Sequence, residues 1–130
     1  MANPNIVSVS SIYAGNAGWN LSNTLTATLL TVDADKIVKI NSIICSNVDG
    51  TNAATLNLYV TGMGSGASGV TTTGADSTAY LAKTVSIPAD ATLVILNAPI
   101  YLMEGDILKG GASAASDLDL FVSYEVIDDA

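Results

Sequence analysis

The chain has 130 residues, which is enough for one ordinary domain with one hydrophobic core but not for two. Charged residues make up 12% of the chain, against roughly 25% in an average soluble protein, while apolar residues make up 49%. Four lysines stand against twelve acidic residues, giving a formal net charge of -8, and this balance disfavours nucleic acid and anionic membranes as partners.

The low charge has two explanations that composition alone leaves open. The chain is rich in small residues such as Ala and Thr, and part of the monomer's surface could also be covered in an assembly. The first residues show neither the positive charge nor the apolar run of a secretory signal, and no stretch approaches the roughly 18 apolar residues of a membrane span. A single cysteine, Cys45, excludes an intrachain disulfide and lies in an apolar run, which predicts a small buried hydrophobe in a cytoplasmically made protein.

Apolar residues recur at every second position in segments rich in Thr, Val, Ile and Leu, and this pattern predicts strands rather than helices. The predicted strands are 6–13, 19–32, 36–47, 54–60, 78–87, 92–96, 100–103 and 117–127, and residues 107–109 are expected to lead from a turn into the glycines that follow. Turns are expected at 15–18 and 33–35. The Asp49-Gly50 pair predicts a hairpin between the strands that flank it.

Two glycine-containing segments are predicted to be irregular. Residues 61–77 are Gly, Ser, Thr and Ala with almost no large side chain, so we expect a long mobile loop or a segment ordered by a neighbouring subunit. No Gly-Lys-Ser or Gly-Lys-Thr follows these glycines, which excludes a P-loop. Gly110 and Gly111 are expected to form a flexible connection.

About eight strands, separated by frequent turns and without a crossover helix, predict one all-β domain over residues 1–130. The favoured architecture is an antiparallel β-sandwich with jelly-roll topology. An immunoglobulin-like sandwich is the alternative, although the chain lacks the spacing of Cys and Trp that marks that fold.

The sequence offers little material for catalysis. It contains no histidine, the side chain that most often serves as general base or zinc ligand near neutral pH. One cysteine without histidine excludes a zinc site, and no motif of a serine or cysteine nucleophile is present. We therefore expect no enzyme activity, no catalytic residue, no cofactor and no bound metal.

Three pairs of carboxylates lie two residues apart: Asp33 with Asp35, Glu104 with Asp106, and Asp117 with Asp119. Such spacing is compatible with a calcium site or a glycosidase pair. Alternation on a strand and local hydrogen bonding in turns explain the same residues, so we expect structural or solvated roles.

Several segments carry a resemblance to a known class of proteins. They are IPADATLVI (87–95), IYLMEGDIL (100–108), AASDL (114–118), VSYEVI (122–127), ANPNIV (2–7) and INSIICSNVDGT (40–51). In these segments the chain resembles small structural proteins of the virions of marine tailed bacteriophages, including cyanophages. The stretch 62–74 is longer than the pattern of that family.

The resemblance implies a β-sandwich on the virion, made in the host cytoplasm. It implies a homo-oligomer, preferably a trimer, that contacts the major capsid protein or another virion protein. Capsid decoration or cementing of the head is the favoured role. Attachment at the neck, the tail or a fibre is a close alternative, and a carbohydrate-binding module of the jelly-roll type is another.

The beginning of the chain is the predicted region of assembly. Residues 3–13 carry no charge and alternate apolar with polar side chains, which suits either an arm that adds a strand to a neighbour's sheet or the first strand of the domain itself. The candidate assembly contacts are Ile6, Val7, Val9, Ile12, Tyr13 and Trp19. Tyr13 and Trp19 are also the candidate pair for a sugar-binding platform, although Trp19 is more simply a core-edge or subunit-contact residue.

Overall fold

The computed structural model describes residues 9–63, 71–74 and 76–129. Every regular element in these residues is a β-strand. The strands are β1 (Val9–Asn20), β2 (Thr28–Thr31), β3 (Lys36–Asn47), β4 (Ala54–Thr61), β5 (Thr78–Ile87), β6 (Thr92–Leu96), β7 (Ile100–Leu102), β8 (Ile107–Ala112) and β9 (Leu118–Asp129).

The strands form two antiparallel sheets that pack face to face. Sheet A has the order β1-β9-β3-β6, with β7 also paired to β3, and sheet B has the order β2-β8-β4-β5. These pairings confirm the predicted antiparallel β-sandwich. Of the N-terminal segment, residues 9–13 belong to β1 and pair with β9, while residues 1–8 lie outside the described part.

The core lies between the sheets because alternate side chains of each strand point inward. Along β4 the burial alternates at every residue, with Leu56, Leu58 and Val60 facing the core. From sheet A, Ile40, Ile43, Leu120 and Val122 complete the same cluster. Cys45 lies in it with no exposed surface, which confirms the prediction of a small buried hydrophobe.

Strands β3, β5 and β6 have the boundaries predicted from the sequence, and the turn at 33–35 is also confirmed. Strand β9 keeps the predicted alternation, because Leu118, Leu120 and Val122 are buried while Asp119 and Phe121 are exposed. The predicted loop 61–77 joins β4 to β5, which pair with each other. Its residues 64–70 and 75 lie outside the described part of the chain.

The predictions for residues 15–32 were wrong. No turn forms at 15–18, because β1 continues through these residues and pairs with β9 up to Asn20. The predicted long strand 19–32 is reduced to β2, and Leu25 is 43% exposed. The intervening segment is irregular because its backbone bonds to several places: Leu21 N–H donates to Leu118 O, and Ser22 O accepts from Ala112 N–H.

The hairpin predicted between β3 and β4 does not form, because β3 belongs to sheet A and β4 to sheet B. The buried side chain of Asn47 organises the crossing between them. Its amide donates to Ile87 O at 2.9 Å and to Asn52 O at 3.0 Å, while its oxygen accepts from Asp49 N–H at 2.9 Å. The turn at Asp49 and Gly50 therefore carries the chain from one sheet to the other.

The glycines predicted as a flexible connection, Gly110 and Gly111, lie instead within β8 and are buried. A Cβ atom at Gly110 would overlap the carbonyl group of Asn57, and one at Gly111 would overlap the carbonyl group of Thr24. Only glycine allows the neighbouring backbone to approach this closely. The prediction of a flexible connection is therefore wrong, since the pair belongs to a closely packed strand.

The close approach at β8 predicts different costs for two glycine-to-alanine substitutions. Gly110→Ala should lower the free energy of unfolding by about 1–3 kcal/mol or more, because the new methyl group overpacks a backbone contact. Gly18→Ala is the matched control, since its Cβ would lie 3.7 Å from the nearest atom, Leu120 O. It should leave the stability unchanged or raise it by about 0.5–1 kcal/mol. Urea unfolding of both variants checks this, and equal midpoints would contradict it.

Candidate assembly surface

An apolar row crosses four neighbouring strands on the outer face of sheet A. Its members are cross-strand partners in the register of the sheet: Gly18, Phe121, Ile44 and Val94. They point away from the core because the adjacent residues Trp19, Leu120 and Cys45 point into it. Phe121 is 41% exposed and Val94 is 56% exposed, so the row presents apolar surface to solvent.

Polar side chains border this apolar row. On one side, Asn20 Nδ2 donates to Asp119 Oδ1 at 2.7 Å. Further along the same border, the hydroxyl oxygens of Ser46 and Thr92 are hydrogen-bonded at 2.8 Å. On the other side lie Asn16 and its cross-strand partner Ser123. An apolar strip with satisfied polar groups at its edge has the layout of a protein interface core with its rim.

A depression of about 340 Å³ lies beside the row, between Phe121, Ile44 and the backbone of Gly18. Gly18 has neither a positive φ nor a close neighbour that would require glycine. The fold therefore does not require glycine at this position, and the lack of a side chain keeps the depression open. Trp19 lines its border and packs against the core.

The structure separates the contact residues that the sequence predicts. Ile12 and Tyr13 are 58% and 59% exposed on β1, and Val9 begins that strand, while Trp19 lies near its other end. None of these four residues belongs to the apolar row, although Trp19 lines the border of the depression beside it. Ile6 and Val7 lie outside the described residues.

Sequence reasoning missed Phe121, Ile44 and Val94 as surface residues that act together. One signal was available: the alternation of β9 puts Phe121 on the polar side of the strand, where a large aromatic residue serves no core. The residues of the row come from four strands, and the register of sheet A is what aligns them. That register is not visible in the sequence.

Tyr13 and Trp19 do not form a common platform for a sugar ring. They lie six residues apart on one strand, which corresponds to about 20 Å. Trp19 is also partly buried against the core. A single sugar ring cannot stack on both residues.

The carboxylates Glu104 and Asp106 tie two turns together. Glu104 Oε2 accepts from Asp35 N–H at 2.8 Å, and Asp106 Oδ2 accepts from Met103 N–H at 2.9 Å. Backbone bonds join the same turns, because Val32 N–H donates to Asp106 O. Glu104 is 3% exposed and Asp106 is 5% exposed, so both carboxylates face the interior of this corner.

Asp106 is only half satisfied. Within the described residues, its Oδ1 atom is buried without a hydrogen-bond partner. Burial raises the pKa of this carboxyl above its ordinary value, and the bond from Met103 opposes that effect only in part. The charged form is therefore a cost to the folded state at neutral pH.

The remaining described side chains that could bind a metal or act as a nucleophile do not form a common site. Among residues 9–63, 71–74 and 76–129, no three acidic or cysteine side chains come together in a way that could hold a metal ion. Burial, with a smaller effect of Asp119, raises the pKa of Cys45 to about 11, so this thiol stays protonated and unreactive at neutral pH. A second cavity, of about 150 Å³, holds only Asp33 and Lys36 as charged lining residues.

Comparisons with known proteins add no relative. No protein-family model matches the chain, and no curated protein and no solved structure is significantly similar to it. In the part of the chain that the structure describes, no helix is long and apolar enough to cross a membrane.

The half-satisfied Asp106 predicts a pH-dependent effect of Asp106→Asn. The variant keeps an acceptor for Met103 N–H but cannot ionise. Because the folded-state pKa is raised, the wild type loses stability as the pH rises above the pKa of the unfolded chain, near 4. The variant should therefore gain stability relative to the wild type as the pH rises from 4 to 7.

Thermal unfolding at both pH values measures this gain. Asp49→Asn is the matched control with the opposite sign, because the bond from Thr51 N–H lowers the pKa of Asp49. That control should lose stability relative to the wild type over the same pH range. A constant difference between Asp106→Asn and the wild type at every pH would contradict the assignment.

Proposed function

We propose that the chain is a non-enzymatic structural protein of a tailed-phage virion, and that it decorates or cements the capsid surface and so stabilises the head. The observation that carries this proposal is the apolar row of sheet A, with its open depression and polar border. A surface of this kind suits contact with another protein. The resemblance in the sequence supplies the setting, which is the virion with its major capsid protein as partner.

The topology supports the same proposal. The strands pair from the outside of the sequence inward, as in one long hairpin that has been folded over. The first strand, β1, pairs with the last, β9, and then β2 pairs with β8, β3 with β6 and β7, and β4 with β5. Successive pairs alternate between the two sheets. We infer from this order a jelly roll in which β6 and β7 form one interrupted strand, and this topology is frequent in viral capsid proteins.

The use of the polar side chains favours a structural role over catalysis. Glu104 accepts a backbone hydrogen bond from a neighbouring turn, Asp106 accepts one within its own turn, and Asp119 accepts one from the side-chain amide of Asn20. The thiol of Cys45, whose pKa Asp119 helps to raise, is buried and protonated at neutral pH, and the chain has no histidine. A carbohydrate-binding module gains no support from the 20 Å separation of Tyr13 and Trp19.

Binding to particles tests the proposed role. Recombinant protein should bind to purified heads that lack it and should raise the temperature at which those heads open. Attachment through apolar and backbone contacts should survive 1 M NaCl, where screening shortens to about 3 Å. Release by salt alone would contradict the proposal. Binding only to tails or necks would place the protein there instead of on the head.

The apolar row predicts which residues matter for that binding. The double substitution Phe121→Ser and Val94→Ser should weaken binding at least tenfold, or about 1.4 kcal/mol, because it removes exposed apolar area from the row. Tyr80→Ser is the matched control, since Tyr80 is 49% exposed on sheet B. A sedimentation assay measures both. Equal losses for the two variants would show that the row is not the contact.

A further inference from the structure

The free edge of β1 differs from every other edge of the sandwich. Strand β1 has twelve residues, contains no charged residue and no proline, and shows a register irregularity only at its beginning. Its length corresponds to about 40 Å. Within the described residues, no backbone hydrogen bond joins its free side to another segment.

The other three edges carry features that discourage strand pairing. Strand β2 has four residues and a register shift. Strands β6 and β7 have five and three residues and are separated by Pro99. Strand β5 has two register irregularities, an exposed lysine at position 83 and a positive φ at Thr84. Among the described edge strands, β1 is therefore the one that is long and regular enough to pair with a further strand.

We propose that β1 pairs antiparallel with β1 of a second copy of this chain, so that sheet A continues across a twofold axis. A twofold contact requires a surface that complements itself, and an uncharged strand edge meets this requirement. Two strands of this length would form about ten backbone hydrogen bonds, the number found in an ordinary interface. The pairing rests on the β1 edge alone and not on the proposed virion function.

Charge favours this edge in a protein that otherwise repels its own copies. With a net charge of -8, two chains approach most easily where no carboxylate lies on the contact strand. The described acidic side chains next to β1 belong to β9: Asp119, Glu125 and Asp128. Across the pair, the two β9 strands would lie about 14 Å apart, beyond the screening length of about 8 Å at physiological salt. Association should therefore strengthen as salt rises from low to physiological concentration.

A lysine near the middle of β1 tests the pairing. Ala14 is exposed on the outer face and lies opposite Glu125, so Ala14→Lys gains an internal partner and keeps the fold. In the dimer, the two introduced lysines lie close to each other near the twofold axis. The variant should weaken dimerisation at least tenfold in analytical ultracentrifugation. Ala115→Lys, at an exposed turn position, makes the same charge change and should leave dimerisation unchanged.

Hydrogen exchange supplies a readout that needs no variant. As the protein concentration rises through the dissociation constant, the alternate β1 amides that point away from β9 should become at least tenfold better protected, while those of β5 stay constant. A monomeric or trimeric mass at high concentration would overturn the proposal. So would a dimer that Ala14→Lys leaves intact. Protection of the β1 edge that is already complete in the monomer would assign the edge to another segment of the same chain.

Discussion

Sheet A depends on the insertion of the last strand, β9, between β1 and β3. Strand β9 pairs with β1 along one side and with β3 along the other, over nearly its full length. These pairings join the ends of the chain, so the loop-closure entropy must be overcome before their hydrogen bonds contribute. Without β9, β1 has no partner in its own sheet, and the inner rows of the core lose their middle residues.

The same insertion creates the outer surface. Because β9 alternates from Leu118 to Val122, Leu120 and Val122 enter the core while Phe121 between them faces outward. The register then aligns Phe121 with Ile44 on one neighbour and Gly18 on the other. On the inner face the ring of Tyr124 covers Gly15, where an added Cβ would lie 2.7 Å from the ring. Core packing, the apolar row and the position of β1 at the edge of sheet A are thus consequences of one strand placement.

The sequence was sufficient to predict strand boundaries where side-chain alternation and turn residues agree. It was insufficient where the structure depends on which distant strands pair. Strands β3, β5 and β6 were predicted to the residue because a polar or proline-containing turn bounds each. Gly15 of β1 and Gly110 of β8 were misread, because they let the Tyr124 ring and the Asn57 backbone approach, and those neighbours are distant in sequence. The apolar row escaped prediction for the same reason. The register aligns Phe121, Ile44 and Val94 with Gly18, which the sequence does not single out, while the predicted contact residue Trp19 packs against the core.

A density map of the protein in its assembled state tests this account most directly. We expect the assembly contacts on sheet A, through the row around Phe121 and through the β1 edge. The map should then show Phe121 and Val94 buried against a neighbouring protein, with the outer face of β5 in solvent. Contacts made through sheet B, with Phe121 and the β1 edge left exposed, would contradict it.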